Sequence, residues 1–513
     1  MAKRCNRLIT TFQTEKQPGR KCNVPTRKGR GSETFLMRAV MHTLLTRIIV
    51  LALVVGSPHL GVAQAGAQSS QAKPTVSRAV EKPASSLLTL TEAIRTGLAN
   101  HPLLERSRYS ALIAKALTRQ TQGERYPWLE ASIAGSSGSL RIITTDGKTI
   151  HDRGGHGLDP GGALPKHNQN MLTGGFLLNQ LISDFGYTAH RILATEANEA
   201  ASDKEILTNK AFVILNVQRA YLNTLLQQSL VTIATETVKQ RQAVRDQVQA
   251  LYKHQLKSKV DLDLVLVEVA NAELSLIKAK NDLKQSFATL NNAMGSDGQD
   301  QYELEPIRIQ VTPSESVETL VTTGLNDRPE LLGNRDRLVA SEELLRAVKA
   351  LNYGSLTAVG SVGITQYGDV HDAGIPSDAV APFWGFGITI KFPLFTGFRI
   401  QSQIKEAGHR KGETDEELQA LANEIILQIV RAYLTRTTNA EQIALEQERV
   451  TFSKEALLLA QERYRLGLSP IVEVVRATAV LFESESRLAE SRYIYKISES
   501  VVSYATGQEY KRF

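Results

Sequence analysis

Cysteine is almost missing from this chain. Of 513 residues only Cys5 and Cys22 are cysteines, and both lie in the first 67. The remainder is expected to have no disulfide, no thiolate chemistry and no cysteine to carry a lipid anchor. The short motifs of catalysis are also missing. No G-x-x-x-x-G-K-[ST] loop is present to cradle phosphates, and neither G-x-S-x-G nor H-E-x-x-H occurs. The chain is therefore expected not to be an enzyme, to hydrolyse no ATP and to need no cofactor. A basic body is missing too, although the net charge is +7. Residues 1–67 carry 11 Lys and Arg against Glu15 and Glu33, a net of +9, and the rest carries 49 against 51 acidic residues, a net of −2. A nucleic-acid partner does not fit a mildly acidic body.

The basic segment has its own reading. Arg38 and Arg47 precede an apolar run, Ile48 to Val55, followed by small residues at Ala63-Gln64-Ala65 or Ala65-Gly66-Ala67. That is the pattern of a secretory signal peptide, and the run is too short for a comfortable membrane span. Residues 1–67 are read as a signal peptide with an over-extended start, translation beginning at Met37 or Met41. The alternative is a genuine basic cytoplasmic tail. Residues 68–86, polar with two prolines, read as a flexible leader.

Proline and glycine are scarce in two long stretches. About 188–255 and 399–466 hold neither, apart from Gly408 and Gly412, and their helical continuation is about 100 Å long. Each ends in a turn, "HQLKSKVD" or "LGLSPIVE", before a returning helix at 261–294 or 473–506. The returning helices carry large apolar residues seven apart: Leu262, Val269, Leu276, Leu283, Leu290, and then Val474, Leu481, Leu488, Tyr495, Val502. Small residues alternate with them at Val265, Ala272, Ala279, Ser286, Ala293, and at Ala477, Ser484, Ser491, Ser498, Ala505. A sustained spacing of seven predicts supercoiled packing, and small seam residues let helix axes approach.

The tetrapeptide RAYL, at 219–222 and again at 431–434, reveals a duplication with an offset of 212. Upstream, Thr96-Gly97-Leu98 and Thr323-Gly324-Leu325 repeat at an offset of 227. Alternating apolar and polar residues predict strands at about 129–142, 172–183, 355–365 and 384–395. In the last of these Phe386, Ile388, Ile390 and Phe392 share one face. The expected division is a first repeat at 87–295, an equatorial linker at 296–328, a second repeat at 329–507 and a tail at 508–513. The loop about 143–170 holds His151, His156 and His167 with Asp152 and Asp159; its spacing and glycines favour a solvated loop, and no metal site is assigned.

Four strands cannot close a membrane barrel, and open edges cannot persist in lipid. Strands that span a membrane here must be pooled between chains, eight from a dimer or twelve from a trimer. The long helix is matched in length by a returning helix joined end to end with a shorter one, 103–126 or 330–353.

With these features the sequence resembles the TolC-type outer-membrane efflux proteins over about 87–510. The resemblance rests on "LTLTEAIRTGLANHP", "FPLFTGFRIQSQIKEA", the paired RAYL helices and "ERYRLGLSPIVEVVRATAVLFESESRLAESRYIY". It implies an α+β membrane protein. Duplicated coiled-coil helices would build a trimeric α-barrel tunnel, continuous with a twelve-stranded β-barrel to which each chain gives four strands. It implies a homotrimer in outer-membrane lipid with a long periplasmic extension, meeting a periplasmic adaptor and an inner-membrane ABC or proton-driven transporter. Type I protein secretion is favoured over drug, metal or solute efflux, because many dedicated drug-efflux members are lipoproteins. The rival class is a periplasmic adaptor or a structural coiled-coil protein, for which lipid-facing strands would be superfluous.

The resemblance also implies acidic gate residues near the turns, matched here by Asp261 and Glu473. The sequence departs from the family at Arg476, where a second acid is expected. A trimer would present rings of three carboxylates favouring cations, with Arg476 pairing with Glu473 or opposing cation entry. Alternatively, Asp261 and Glu473 only favour helix N-termini. The turns, Leu256, Lys257 and Ser258 and then Gly467, Leu468, Ser469 and Pro470, are the candidate adaptor-docking tips.

Overall fold

Each copy begins with a short helix stopped at a proline. In the first, α1 (Leu90–Asn100) is capped by Thr89, whose side chain accepts from the Glu92 N–H, and Pro102 opens α2 (Pro102–Gly123). In the second, Ser316 caps α5 (Val317–Asp327), and Pro329 opens α6 (Pro329–Ala350). Proline suits the first helical position because no hydrogen bond is required of its nitrogen. The second repeat therefore starts at Val317, inside the segment expected to be linker. Pro329 interrupts a helix pair within the repeat and does not begin it.

The computed structural model describes residues 87–139, 168–298, 301–313, 315–368 and 380–513. All lie in one unit, Pro83–Phe513. The expected signal peptide, the leader, residues 140–142 of the first strand, and His151, Asp152, His156, Asp159 and His167 lie outside the described residues.

Strands β1 (Trp128–Ser139), β2 (Asn168–Ser183), β3 (Ser355–Gly368) and β4 (Val380–Lys391) form one antiparallel sheet in the order β1-β2-β3-β4. The last strand ends at Lys391, short of the expected 395. Ser355, paired with Lys391, is the first residue of β3, and Pro393 has no N–H to continue a ladder.

The long helices α3 (Tyr187–Lys253) and α7 (Arg399–Arg465) have 67 residues each. The returning helices α4 (Lys259–Ala293) and α8 (Ile471–Ala505) have 35 each. All four fall at the offset of 212, and the seam residues Val265, Ala272, Leu290, Val474, Ser484 and Tyr495 are buried as the spacing predicted. Helix α3 packs on α2 and α4, which continue one another, and on the corresponding pair α6 and α8. Helix α7 packs on α6 and α8, and its upper part also on α5. The chain thus supplies four helical ribs beneath four strands: α2 with α4, α3, α6 with α8, and α7.

Where ribs and short helices meet, two equivalent cores form. One gathers Ile94, Val213, Val217, Tyr221, Leu290 and Met294, and the other Leu320, Leu331, Ile425, Ile429 and Ala505. The Tyr221 hydroxyl reaches the carbonyl oxygens of Leu88 (2.8 Å) and Glu305 (3.1 Å), fastening two non-helical segments to α3. In the second copy Arg436 holds Thr312 through its carbonyl (2.8 Å), while the Thr312 N–H donates to the Tyr495 hydroxyl (3.0 Å). The expected C-terminal tail is no free tail: Glu509–Arg512 forms a helical turn, α9, packed on α3 and α8.

Each returning helix closes with a glycine in the left-handed region, Gly295 and Gly507, both at φ +69°. A Cβ on Gly507 would lie 2.9 Å from the Arg328 Cα, just before Pro329; one on Gly295 would lie 2.8 Å from the His101 Cα. Gly507→Ala is expected to lower stability by about 2–4 kcal/mol, through left-handed strain and backbone overlap. Gly412→Ala, on an open helical face, is expected to raise it by about 0.5–1 kcal/mol. Urea midpoints of the two variants against the parent check this pair of opposite signs.

Candidate functional site

The sheet presents two unlike faces, fixed by its register. Leu129, Phe176, Val362 and Trp384 occupy the same side as Leu178, Ile364, Phe386, Ile388 and Ile390. Trp384, Phe386 and Ile390 are 84%, 74% and 76% exposed. The other side is largely polar or small, with Glu130, Ser132, Asn179, Ser361, Thr389 and Lys391 among glycines, the Thr173 and Thr365 hydroxyls 3.2 Å apart, and Leu177, Leu181, Val359 and Phe383 interspersed. In water, leaving Trp384, Phe386, Ile388 and Ile390 uncovered forfeits on the order of 6–12 kcal/mol. An apolar face of this height suits hydrocarbon, and a polar opposite face suits a water-filled interior.

At the helical end of the strands stands an aromatic group that the sequence reading missed. Tyr126, Phe185, Tyr353, Phe392, Phe395 and Phe398 are exposed, with Phe185 beside Tyr353 (6.1 Å between centroids) and Phe395 edge-on to Phe398 (5.8 Å). The density of aromatics in "FPLFTGF" was the available signal, and it had been absorbed into the last strand. Aromatic rings of this kind settle at the water–lipid boundary.

The tips at the other end are built twice by one geometry. Gln255 (φ +60°) and Gly467 (φ +73°) are left-handed, and each turn closes with a bond from an N–H to the carbonyl five residues back: Leu256 N–H to Leu251 O (2.9 Å), Leu468 N–H to Arg463 O (2.8 Å). Ser258 then caps α4, its side chain accepting from the Asp261 N–H (3.2 Å); Pro470 stands at the corresponding place before α8 and offers no side-chain cap. Asp261 and Glu473 both fall in the first helical turn, where the helix dipole favours an acid.

The predicted residues converge on the last turns of α7. Lys257 lies over the Tyr464 ring, 4.3 Å from its centroid, and joins the first tip to the second. Tyr464 is 3% exposed, its hydroxyl has no hydrogen-bond partner, and it titrates at about 12 because of burial, with the Asp261 charge adding to the shift. Glu473 pairs with Arg463 at 3.7 Å. Arg476 is exposed and, among the described residues, makes no ion pair, so the expected Arg476–Glu473 pairing is not formed within the chain. Of the candidate tip residues Leu256, Ser258, Gly467, Leu468 and Pro470 are exposed, Lys257 is half-buried and Ser469 is buried. Tyr464 and Arg463 were missed by the sequence reading, although Tyr464 answers Tyr252 at the offset of 212. Further up, Arg241 bridges α3 and α4 through the Glu268 carboxylate (2.6 Å) and carbonyl (2.8 Å). No His, Cys, Asp and Glu cluster suited to a metal occurs among the described residues.

Two buried tyrosines give opposite expectations. Tyr221→Phe removes a hydroxyl that serves two carbonyls and is expected to cost about 1–3 kcal/mol. Tyr464→Phe removes one that has no partner and is expected to be neutral or stabilising by up to about 1 kcal/mol. Hydrogen exchange around each position, read with the urea midpoints, distinguishes the two.

The comparisons with known proteins agree with this geometry. A family model described as "Outer membrane efflux protein" matches residues 93–296 and 320–508. Outer membrane protein TolC of Salmonella enteritidis is 22% identical over 351 residues, 66% of this chain and 70% of that one. Cation efflux system protein CusC of Escherichia coli is 22% identical over 425 residues, 81% of this chain and 85% of that one. A crystal structure of CusC superposes with a TM-score of 0.68 at 19% identity, covering 84% of this chain and 95% of that one. Similarity extends to the alkaline protease secretion protein AprF of Pseudomonas aeruginosa, 20% identical over 321 residues, 61% of this chain and 64% of that one. The chain belongs to the outer membrane efflux protein family and resides in the outer membrane of the Gram-negative envelope.

Proposed function

We propose that this chain is the passive outer-membrane exit duct of a tripartite, envelope-spanning export system, working as a homotrimer. The observation that carries the reading is the amphipathic sheet with two unpaired edges, β1 and β4, above ribs whose flanks are also unpaired. One flank is a single long helix, α7; the other is the end-to-end pair α2 and α4. Unlike flanks join head to tail, and a head-to-tail contact closes a ring when the rotation allows. Exposed apolar residues support such a join. Leu445, Phe452 and Leu459 recur every seven residues on α7, continued by Leu466 at its C-cap, and Val260, Val267 and Leu274 do so on α4.

Three copies bring twelve strands and twelve ribs. At about 9–10 Å between axes, twelve ribs enclose a ring about 35–38 Å across between helix centres. Twelve strands at about 4.8 Å, tilted by about 40°, make a barrel about 24 Å across. In this arrangement the apolar face meets lipid, the aromatic group marks the periplasmic interface, and the tips point towards an adaptor and an inner-membrane transporter that supplies the energy. A periplasmic adaptor or structural coiled coil has no use for the exposed apolar sheet.

Two cargo readings follow from relatives of different kinds. Protein secretion with an ABC transporter is placed first, supported by the likeness to a protease secretion protein. Proton-driven export of small solutes or metals is second, supported by the longer match to a cation efflux protein.

The purified protein is expected to run as a heat-labile trimer and to conduct ions in a planar bilayer; failure of both sinks the duct reading. Within that assay, Glu473→Gln, and to a smaller extent Asp261→Asn, should lower the cation-to-anion permeability ratio, and Arg476→Ala should raise it. An unmoved ratio in all three variants would reduce these residues to helix-start roles. For cargo, the secreted proteins of a deletion strain are compared with those of its complemented parent. Loss of one or a few large exported proteins supports secretion; an unchanged supernatant shifts the assignment to solute efflux.

A further inference from the structure

The C-terminal turn carries a carboxyl group in a place that does not suit a carboxylate. Glu509, at the start of α9, is 1% exposed and lies against Gln218 of α3, which is 7% exposed. The Gln218 amide Nε2 donates to Glu509 Oε1. Two oxygens of the same pair, Glu509 Oε2 and Gln218 Oε1, are buried without any hydrogen-bond partner. As an ionised acid Glu509 can only accept, so neither oxygen can serve the other, and both desolvation costs stand.

A single proton removes both defects. Placed on Glu509 Oε2, it is donated to Gln218 Oε1 while Gln218 Nε2 continues to donate to Glu509 Oε1. The result is a cyclic acid–amide pair with two hydrogen bonds, no net charge and no orphan oxygen. We propose that Glu509 is held as the neutral acid in a cyclic pair with Gln218, making α9 a proton-linked strap that docks the C-terminus onto α3.

The surroundings supply no competing cation. Among the described residues Glu509 forms no ion pair. On α9, Lys511 is taken by Asp327 (2.8 Å), and Arg512 is exposed. On α3, Lys210 donates to the Tyr510 carbonyl oxygen (3.3 Å). Beside α8, Tyr504 and Arg328 are engaged with Glu330 (3.4 and 3.1 Å). Burial pushes the Glu509 carboxyl above its ordinary range, against smaller opposing effects of the Gln218 bond and Arg512. The sign follows: the docked state holds more protons than the undocked one. Docking is complete below the ordinary carboxylate range and is lost as pH rises through the docked value.

Glu509→Gln tests the proposal because an amide offers the same donor and acceptor in the same places, without a proton to lose. Hydrogen exchange of the peptide following Ala505 is followed by mass spectrometry in the full-length protein from pH 5 to 9. The variant at each pH serves as the reference for intrinsic rates. The expected ratio of opening, parent to variant, rises from near one at the acid end by up to about tenfold per pH unit as pH climbs from the ordinary carboxylate range to the docked value, and levels off above it. A ratio flat across the range overturns the proposal, as does undocking of the terminus in Glu509→Gln. Infrared difference spectra, parent minus variant, supply a second check. A protonated-acid carbonyl band at neutral pH is expected, and carboxylate bands alone would contradict the neutral pair.

Discussion

A strand edge with unpaired backbone groups cannot stand in hydrocarbon, and this chain has two such edges on one sheet. The rest of the architecture depends on how that constraint is met. Among the described residues no element covers the apolar face of the sheet. Nor does it curl closed with four strands. Pairing β4 of one copy with β1 of the next remains, and the helices below have the same need. Four ribs lie under four strands, and the outermost ribs lack a neighbour just as the outermost strands do. Wall and tunnel thus raise one closure problem at two heights, and on the proposed reading one ring of copies answers both.

The duplication preserves geometry more faithfully than chemistry. Left-handed residues stand at Phe185 and Gly186 before α3, and at Gly397 and Phe398 before α7. The order of phenylalanine and glycine is reversed while the two backbone positions are kept. Gln255 takes at the first tip the conformation that Gly467 takes at the second. Polar ties, by contrast, are not shared. Where Arg241 and Glu268 join α3 to α4, the second copy has Ser453 in the place of Arg241 and Val480 in the place of Glu268, and Ser453 meets Ser484 in a buried contact of 3.0 Å. Ribs of a tunnel must agree in length and direction to share a wall. How each pair is tied is free to differ: the second copy joins α7 to α8 through Arg449–Glu483 (3.3 Å) and Lys454–Glu485 (3.2 Å), at other positions than the first.

Much of this was legible from spacing alone. The heptads of α4 and α8 marked residues that are buried between helices, and alternation around Phe386 and Ile388 fixed which side of the sheet is apolar. The offset of 212 gave the length of both hairpins to within two residues at each end. What escaped reading depends on contacts between segments distant in sequence. The boundary expected at 329 fell one short helix late, although the match of Thr323-Gly324-Leu325 to Thr96-Gly97-Leu98 already lay before it. Nothing local in "HQLKSKVD" reveals that Lys257 reaches across to the ring of Tyr464. The fate of Glu509 was equally hidden: five residues from the end, it reads as solvated tail until α9 is seen packed on Gln218. Glu473 was found, whereas its partner Arg463 was not, because a partner is a property of the fold.

The ties differ in strength along the ribs. At the equator the contacts are buried: Tyr221 serves two carbonyls, and Arg436 with Tyr495 holds Thr312 inside the helical layer. Loss of such bonds leaves desolvated groups unpaired, so this level resists change. At the tips the Arg463–Glu473 pair is exposed, and an exposed pair contributes about 0–1 kcal/mol. Lys257 on the Tyr464 ring adds on the order of 0.5–1 kcal/mol. Interactions this weak can be exchanged for those of a docking partner at little net cost, and Leu256 and Leu468 already offer apolar surface beside them. On the proposed function, opening begins at the tips because that is where the ties are cheapest to replace, and the equatorial clusters keep the ribs in register while it happens.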